Sequence, residues 1–346
     1  LPGLTAGTTR WPTPVSNADT TVDDLWHAGI NGFGGYLSAQ DPNELVTSLQ
    51  SMLSDLGSRV TSSSSVAANT TQLNTGARIY RARFDSSDWS GQLQSFKLSS
   101  VGAISAGFEW DASDKLALRA GNSSDSRMVI TWNSGGVPFQ WGSLSAAQQN
   151  SLNTPPAGGA PDALGQQRLE FLRGWSANEG PLPGQFRERT FVVEDVPTHK
   201  ILGDIIDSSP VYVGSPQAGY SDVQQPGYLA FRQANVNRKP VIYVGANDGM
   251  LHAFRADTGE EVYAYIPSML FPKLMNLAPL ASAGYTHTYF VDGSPRTMQV
   301  SIGGTTKRIL VGGLGAGGRG LFALDLPGGA DAVPASESAA ARKIMW

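Results

Sequence analysis

The chain has 346 residues and a formal net charge of −4, long enough for one large or two ordinary domains with a real core. The balance of 25 basic against 29 acidic residues argues against a general nucleic-acid binder, which needs a basic stripe. The absence of cysteine excludes disulfides, thiolate catalysis and Cys-based zinc sites together.

Charged residues make up 16%, with 40 Gly and 21 Pro, a composition that suits an all-β protein rich in turns. Residues 1–20 read as an extended Pro- and Thr-rich arm. "LPGLTAGTTR" lacks the basic and apolar regions of a signal peptide, so an exported protein would already have lost its targeting segment. No run has transmembrane length. "DPNELVTSLQSMLSDLGSRV" predicts a helix, with Asp41 as N-cap, Pro42 in the first turn, Glu44 completing a capping box and Gly57 ending it. Residues 61–76 are polar and aperiodic and predict a linker. These features give two parts: 1–75, an arm, helix and linker, and 76–346, a strand-rich domain.

From Arg78 the pattern turns to strands. "RIYRARF", "LQSFKLS" and "RMVITW" come first, followed by helical inserts at 144–153 and 166–175. "ERTFVVE", "IIDSSPVYVG", "PVIYVG", "MLHAFRA", "VYAYIP", "THTYFVDG", "TMQVSIG", "KRILVGG" and "GLFALDL" continue the series. "KPVIYVGANDGMLHAFRADTGEEVYAY" is repeated in outline by "KRILVGGLGAGGRGLFALDLPGG…ARKIMW". Such a unit cannot bury both faces alone, so neighbours must stack, which predicts propeller blades. Asn247-Asp248-Gly249 and Asp257-Thr258-Gly259 read as hairpin turns, and Val241, Tyr243, Leu251, Ala253, Val262 and Tyr263 as packing between blades. The second copy reaches Trp346, which predicts a blade truncated at its C-terminal end, with an open edge suited to strand addition by a partner.

No residue is singled out as catalytic, cofactor-binding or metal-ligating. Gly315, Gly317 and Gly320 fit a dinucleotide fingerprint, but a strand follows where a helix is required, so the hairpin reading is preferred. "DASDKLALRAGN" and "SNADTTVDDLWH" fail the calcium-loop pattern and read as solvated turns. His27, His199, His252 and His287 lack metal-ligand spacing, and His252 reads as a packing position within a strand. Asp207 stands beside Ser208 and Ser209 without a nucleophile elbow, and reads as a strand-end cap. Trp89, Trp110, Trp132, Trp141 and Trp175 suit either wedges between blades or a sugar platform.

The repeat resembles that of quinoprotein dehydrogenase propellers, although the calcium-and-carboxylate set of those enzymes is not evident. The order of segments resembles the PilY1/PilC family of type IV pilus biogenesis factors and tip adhesins. It rests on "DDLWHAGINGFGGYLSAQDPNELVTSLQ", "GARIYRARFDSSDWSGQLQSFKL", Leu202 to Pro210 within "RLEFLRGW…FRERTFVVEDVPTHKILGDIIDSSPVYVG", and Tyr243 to Phe254. The resemblance implies an all-β, modified or incomplete β-propeller with helical inserts and a short helical N-terminal segment. It also implies a non-enzymatic scaffold at the bacterial cell surface, outer membrane or pilus tip. Such a scaffold would work with minor pilins in pilus assembly, retraction control and attachment to host or abiotic surfaces. A family calcium loop would lie beyond Trp346, so calcium is implied for the complete protein and no cofactor for this chain. Arg173-Gly174-Trp175 stands where many relatives read Arg-Gly-Asp, which argues against an integrin-type contact there. The alternatives are a quinone-dependent dehydrogenase and a carbohydrate-binding propeller.

Overall fold

The computed structural model describes residues 66–68, 76–99, 102–120, 127–193 and 196–346. The predicted N-terminal arm, the helix at Asp41 and "SNADTTVDDLWH" lie outside them.

In chain order, β1 (Val66–Ala68), β2 (Arg78–Asp85), β3 (Ser90–Lys97) and β4 (Trp110–Asp111) form an antiparallel sheet in sequential order. Helix α1 (Ala112–Ala120), β5 (Val129–Trp132), β6 (Gly136–Pro138), α2 (Ala146–Asn153) and α3 (Gly165–Leu172) follow. Next come a separate hairpin, β7 (Thr190–Val193) and β8 (Val196–His199), then β9 (Val211–Val213) and α4 (Tyr228–Ala234). Strands β10 (Val241–Gly245), β11 (Leu251–Arg255) and β12 (Glu261–Ile266) join β9 in an antiparallel meander. The β5–β6 pair extends this middle sheet, with β5 parallel to β12. After α5 (Phe271–Leu274), strands β13 (Arg296–Ile302), β14 (Thr305–Gly313) and β15 (Leu321–Asp325) make a third sheet, and α6 (Glu337–Ala341) follows. None of these sheets closes on itself.

The middle sheet is buried on both faces, and its alternation shows how the layers stack. Val241 and Tyr243 of β10 join one core, with Leu310, Leu314, Phe322 and Leu324 from the third sheet's side. Ile242 and Val244, pointing the other way, join a second core with Tyr80, Ala82, Leu93 and Trp110 from the first sheet's side. Leu251, Ala253, Val262 and Tyr263 are all buried in the first of these cores. A strand buried on two faces reads as a continuous apolar run, which explains "VIYVG" and "EVYAYI".

The local signals act as expected at several points. Ser145 accepts from the Gln148 N–H, and the Gln148 side chain returns the bond, a full capping box that starts α2. Gly249 and Gly259 adopt φ of +93° and +76° in their hairpin turns. "GAGGRG" connects β14 to β15 through a single 3-10 turn at Gly315–Gly317 and opens no α-helix.

Four expectations require correction. The stretch 61–76 is not wholly linker, because β1 within it pairs with β2. "DASDKLALRAGN" is not a solvated turn: residues 112–120 form α1, capped by the Asp111 carboxylate, which accepts from the Ser113 N–H at 2.9 Å. "THTYFVDG" is not a strand. Its N–H groups reach elsewhere, Phe290 to the Asn247 side chain at 2.8 Å and Asp292 to the Leu314 carbonyl at 3.1 Å. Finally, the β15 edge is occupied. The Ala323 N–H donates to the Trp346 carbonyl at 3.0 Å, the Met345 N–H to the Ala323 carbonyl at 2.9 Å and the Asp325 N–H to the Lys343 carbonyl at 2.7 Å. The predicted final strand thus lies along β15, and partner strand addition at that edge has no basis.

Candidate functional site

The "YVGANDGMLHAF" segment builds a polar junction where several segments meet. Gly245 ends β10 against the Val291 carbonyl; a Cβ there would stand 2.3 Å from that oxygen, so only glycine permits the approach. Asn247 ties three strands of chain together. Its N–H reaches the Asp204 carbonyl at 3.0 Å, its amide nitrogen reaches Asp204 Oδ2 at 2.7 Å, and its amide oxygen accepts from Phe290. Asp248 accepts from the Gly203 N–H at 3.1 Å and the Met250 N–H at 3.2 Å.

His252 is fully buried between two carboxylates. Nδ1 lies 2.9 Å from Glu261 Oε1 and Nε2 lies 3.0 Å from Asp248 Oδ2. Both neighbours are acceptors, so both ring nitrogens carry protons and the ring is an imidazolium. Burial pushes this group down, but Asp248 and then Glu261 outweigh burial and hold it up at about 9. Glu261 also takes a two-pronged contact from Arg127, with Nε to Oε2 and Nη2 to Oε1 both at 2.8 Å. Burial alone would raise the Glu261 carboxyl; Arg127 and His252 hold it well below the usual range. Two cations and two anions thus balance inside the core. The expected packing position of His252 is therefore an ionic one, signalled by its place four residues after Asp248 and nine before Glu261.

A second set of ions extends outward. Arg173 donates to the Phe139 and Arg127 carbonyls and to Glu337 Oε1, the last at 2.7 Å. Arg189 pairs with Glu179, which also meets His199 Nε2 at 3.3 Å. Burial would raise the Glu179 carboxyl, but His199 and Arg189 bring it down to about 2. Arg173 is buried, so the Arg-Gly-Trp element offers its guanidinium to the interior.

Beside this junction lies a cavity of about 30 Å³ lined by Trp89, Arg187, Lys200, Asp204, Asp248 and Tyr285, among others. Its size suits about one water, which is too small for a substrate. Trp89 adopts φ of +58° and stacks on His287 with ring centroids 3.8 Å apart. His287 Nε2 meets Asp204 Oδ2 at 2.9 Å. Burial raises the Asp204 carboxyl despite these bonds.

The two Asp-x-Ser-Pro elements, at 207–210 and 292–295, bond to each other just before β9 and β13. The Asp207 N–H donates to Asp292 Oδ1 at 3.2 Å and the Ser209 N–H to Ser294 Oγ at 2.8 Å. Ser294 Oγ donates to the Asp207 carbonyl at 3.1 Å, and Ser208 Oγ to the Gly293 carbonyl at 3.3 Å. The cap expected of Asp207 is thus supplied by Asp292 and Ser294. The repetition of the tetrapeptide was the available signal, and the sequence reading missed it. The tryptophans are divided rather than gathered: Trp110 lies in one core, Trp132 and Trp141 pack on the other, and Trp89 lines the cavity. Among the described residues, no group of three or more His, Cys, Asp or Glu side chains could hold a metal ion. None of their helices is long and apolar enough to cross a membrane.

Residues 202–346 match the family model described as the PilY1 beta-propeller domain. Type IV pilus biogenesis factor PilY1 of Pseudomonas aeruginosa strain PAK is 35% identical over 339 residues, which cover 93% of this chain and 28% of that protein. A type IV pilus biogenesis factor PilY1 homolog of Xylella fastidiosa strain Temecula1 is 33% identical over 300 residues, covering 83% of this chain and 22% of the homolog. The crystal structure of the Pseudomonas aeruginosa PilY1 C-terminal domain shares 39% identity over 34% of this chain and 22% of that one, with a TM-score of 0.26. The chain spans little more than a quarter of the length of the Pseudomonas relatives.

Proposed function

Residues 202–346 belong to the PilY1 β-propeller domain family, and the chain is related to the PilY1 pilus factors over most of its length; from that premise we propose that it forms part of a type IV pilus biogenesis factor. On this reading it is a non-enzymatic scaffold outside the cytoplasm, at the cell surface or pilus tip, working with minor pilins in assembly, retraction control and attachment. The observation that carries the reading is the 35% identity to a pilus biogenesis factor across 93% of the chain. The geometry supports a scaffold, because the buried charges around Glu261 are spent on one another. A catalytic group needs a free face toward a substrate. The cavity beside Asp204 and Asp248 has room for about one water.

The test is genetic. Deleting the encoding gene in its own bacterium should abolish surface pili, and restoring the full gene should bring them back. Affinity capture of the full protein from the same cells should retain minor pilins. Normal piliation after deletion would overturn the biogenesis reading, and capture free of minor pilins would overturn the partner assignment.

A further inference from the structure

We propose that the groove between β13 and the loop at 216–225 is a docking site for an extended, acidic segment of a partner protein. The inference goes beyond the pilus reading and does not depend on it. β13 is the terminal strand of its sheet, so one edge of it carries no ladder among the described residues. The groove beside it encloses about 380 Å³, lined by Pro216 and Tyr220 of the loop, Thr297, Met298 and Gln299 of β13, and Arg308 of β14. Tyr220 and Met298 are 48% and 50% exposed, so two large apolar side chains stand at the surface of one groove.

The charge of the occupant follows from Arg308. No acidic side chain lines the groove. Arg308 Nε is buried without an acceptor, and Nη1 reaches the Gly214 carbonyl only at 3.5 Å. Burial, then the like charge of Arg238, holds its guanidinium below its usual range. Its neighbour Lys307 is paired with Asp325 at 2.9 Å, and the interior arginines 127, 173 and 189 each hold a carboxylate. Arg308 has the same need and no such partner among the described residues. A carboxylate brought by an incoming chain would supply it, and an open strand edge selects an extended chain over a helix.

The test uses two octapeptide display libraries, random except for a fixed central Glu in one and a fixed central Gln in the other. The Glu library should yield binders to the full 346-residue chain, and the Gln library should yield none of comparable affinity. Arg308→Gln should weaken the selected peptides at least about tenfold, the scale of a charge-assisted hydrogen bond. Because the chain has no cysteine, Met298→Cys can be labelled selectively with a bulky maleimide, which should block binding without touching Arg308. Failure to enrich binders, or peptides held equally by the parent, Arg308→Gln and the blocked variant, would overturn the proposal.

Discussion

At the scale of single residues, the core of this protein is held by charges that have no escape to water. Glu261 serves Arg127 and His252 together, and all three side chains are buried. Removing one partner from such a set strands the others, which costs about 3–5 kcal/mol. Glu261→Gln should therefore lower the unfolding free energy by roughly that amount in urea titrations. A change below about 1 kcal/mol would show the network to be dispensable. His252 adds a pH signature. Its folded value, about 9, lies above the ordinary 6.5, so its contribution is complete below pH 6.5 and is lost as pH rises toward 9. Glu179, held at about 2 against 4.5, has the opposite sign: its contribution is present above 4.5 and is lost as pH falls toward 2. The stability of the parent against denaturant should fall across both windows, and His252→Gln should remove the alkaline slope alone. An unchanged alkaline slope in that variant would assign it elsewhere.

At the scale of elements, turns and cores were legible while long-range pairings were not. The Asn247-Asp248-Gly249 and Asp257-Thr258-Gly259 turns could be read because each carries its own backbone requirement. Gly259 shows the requirement most plainly, with φ of +76° and an ideal Cβ position only 2.5 Å from the Trp110 ring. Gly259→Ala should cost about 1–3 kcal/mol, measured as a fall in melting temperature; an unchanged value would mean that Trp110 yields freely. The α1 helix escaped detection because its acids read as those of a solvated turn, although Asp111 is a cap and Leu116 is buried. The β12–β5 pairing joins Ala264 to Val129, and Arg173 reaches Glu337 across 164 residues. Neither leaves a local periodicity for sequence reasoning to detect. The Asp-x-Ser-Pro repeat did leave a signal, since identical tetrapeptide patterns 85 residues apart mark equivalent places in successive sheets.

At the scale of the whole molecule, the middle sheet of the described part is buried on both faces, and its β10 strand divides two cores. The proposed pilus role rests on family resemblance. The candidate site was not legible in the sequence, because its polar atoms come from segments remote in sequence and are mostly satisfied by one another. Buried on both faces, the middle sheet leaves contacts with other molecules to the edges and loops of the described part. Amide hydrogen exchange on the whole chain tests this most directly. The account predicts that β10, β11 and β12 exchange only through global unfolding, while the open edge of β13 exchanges by local fluctuation, orders of magnitude faster. Equal, rapid exchange in β10–β12 and β13 would contradict it.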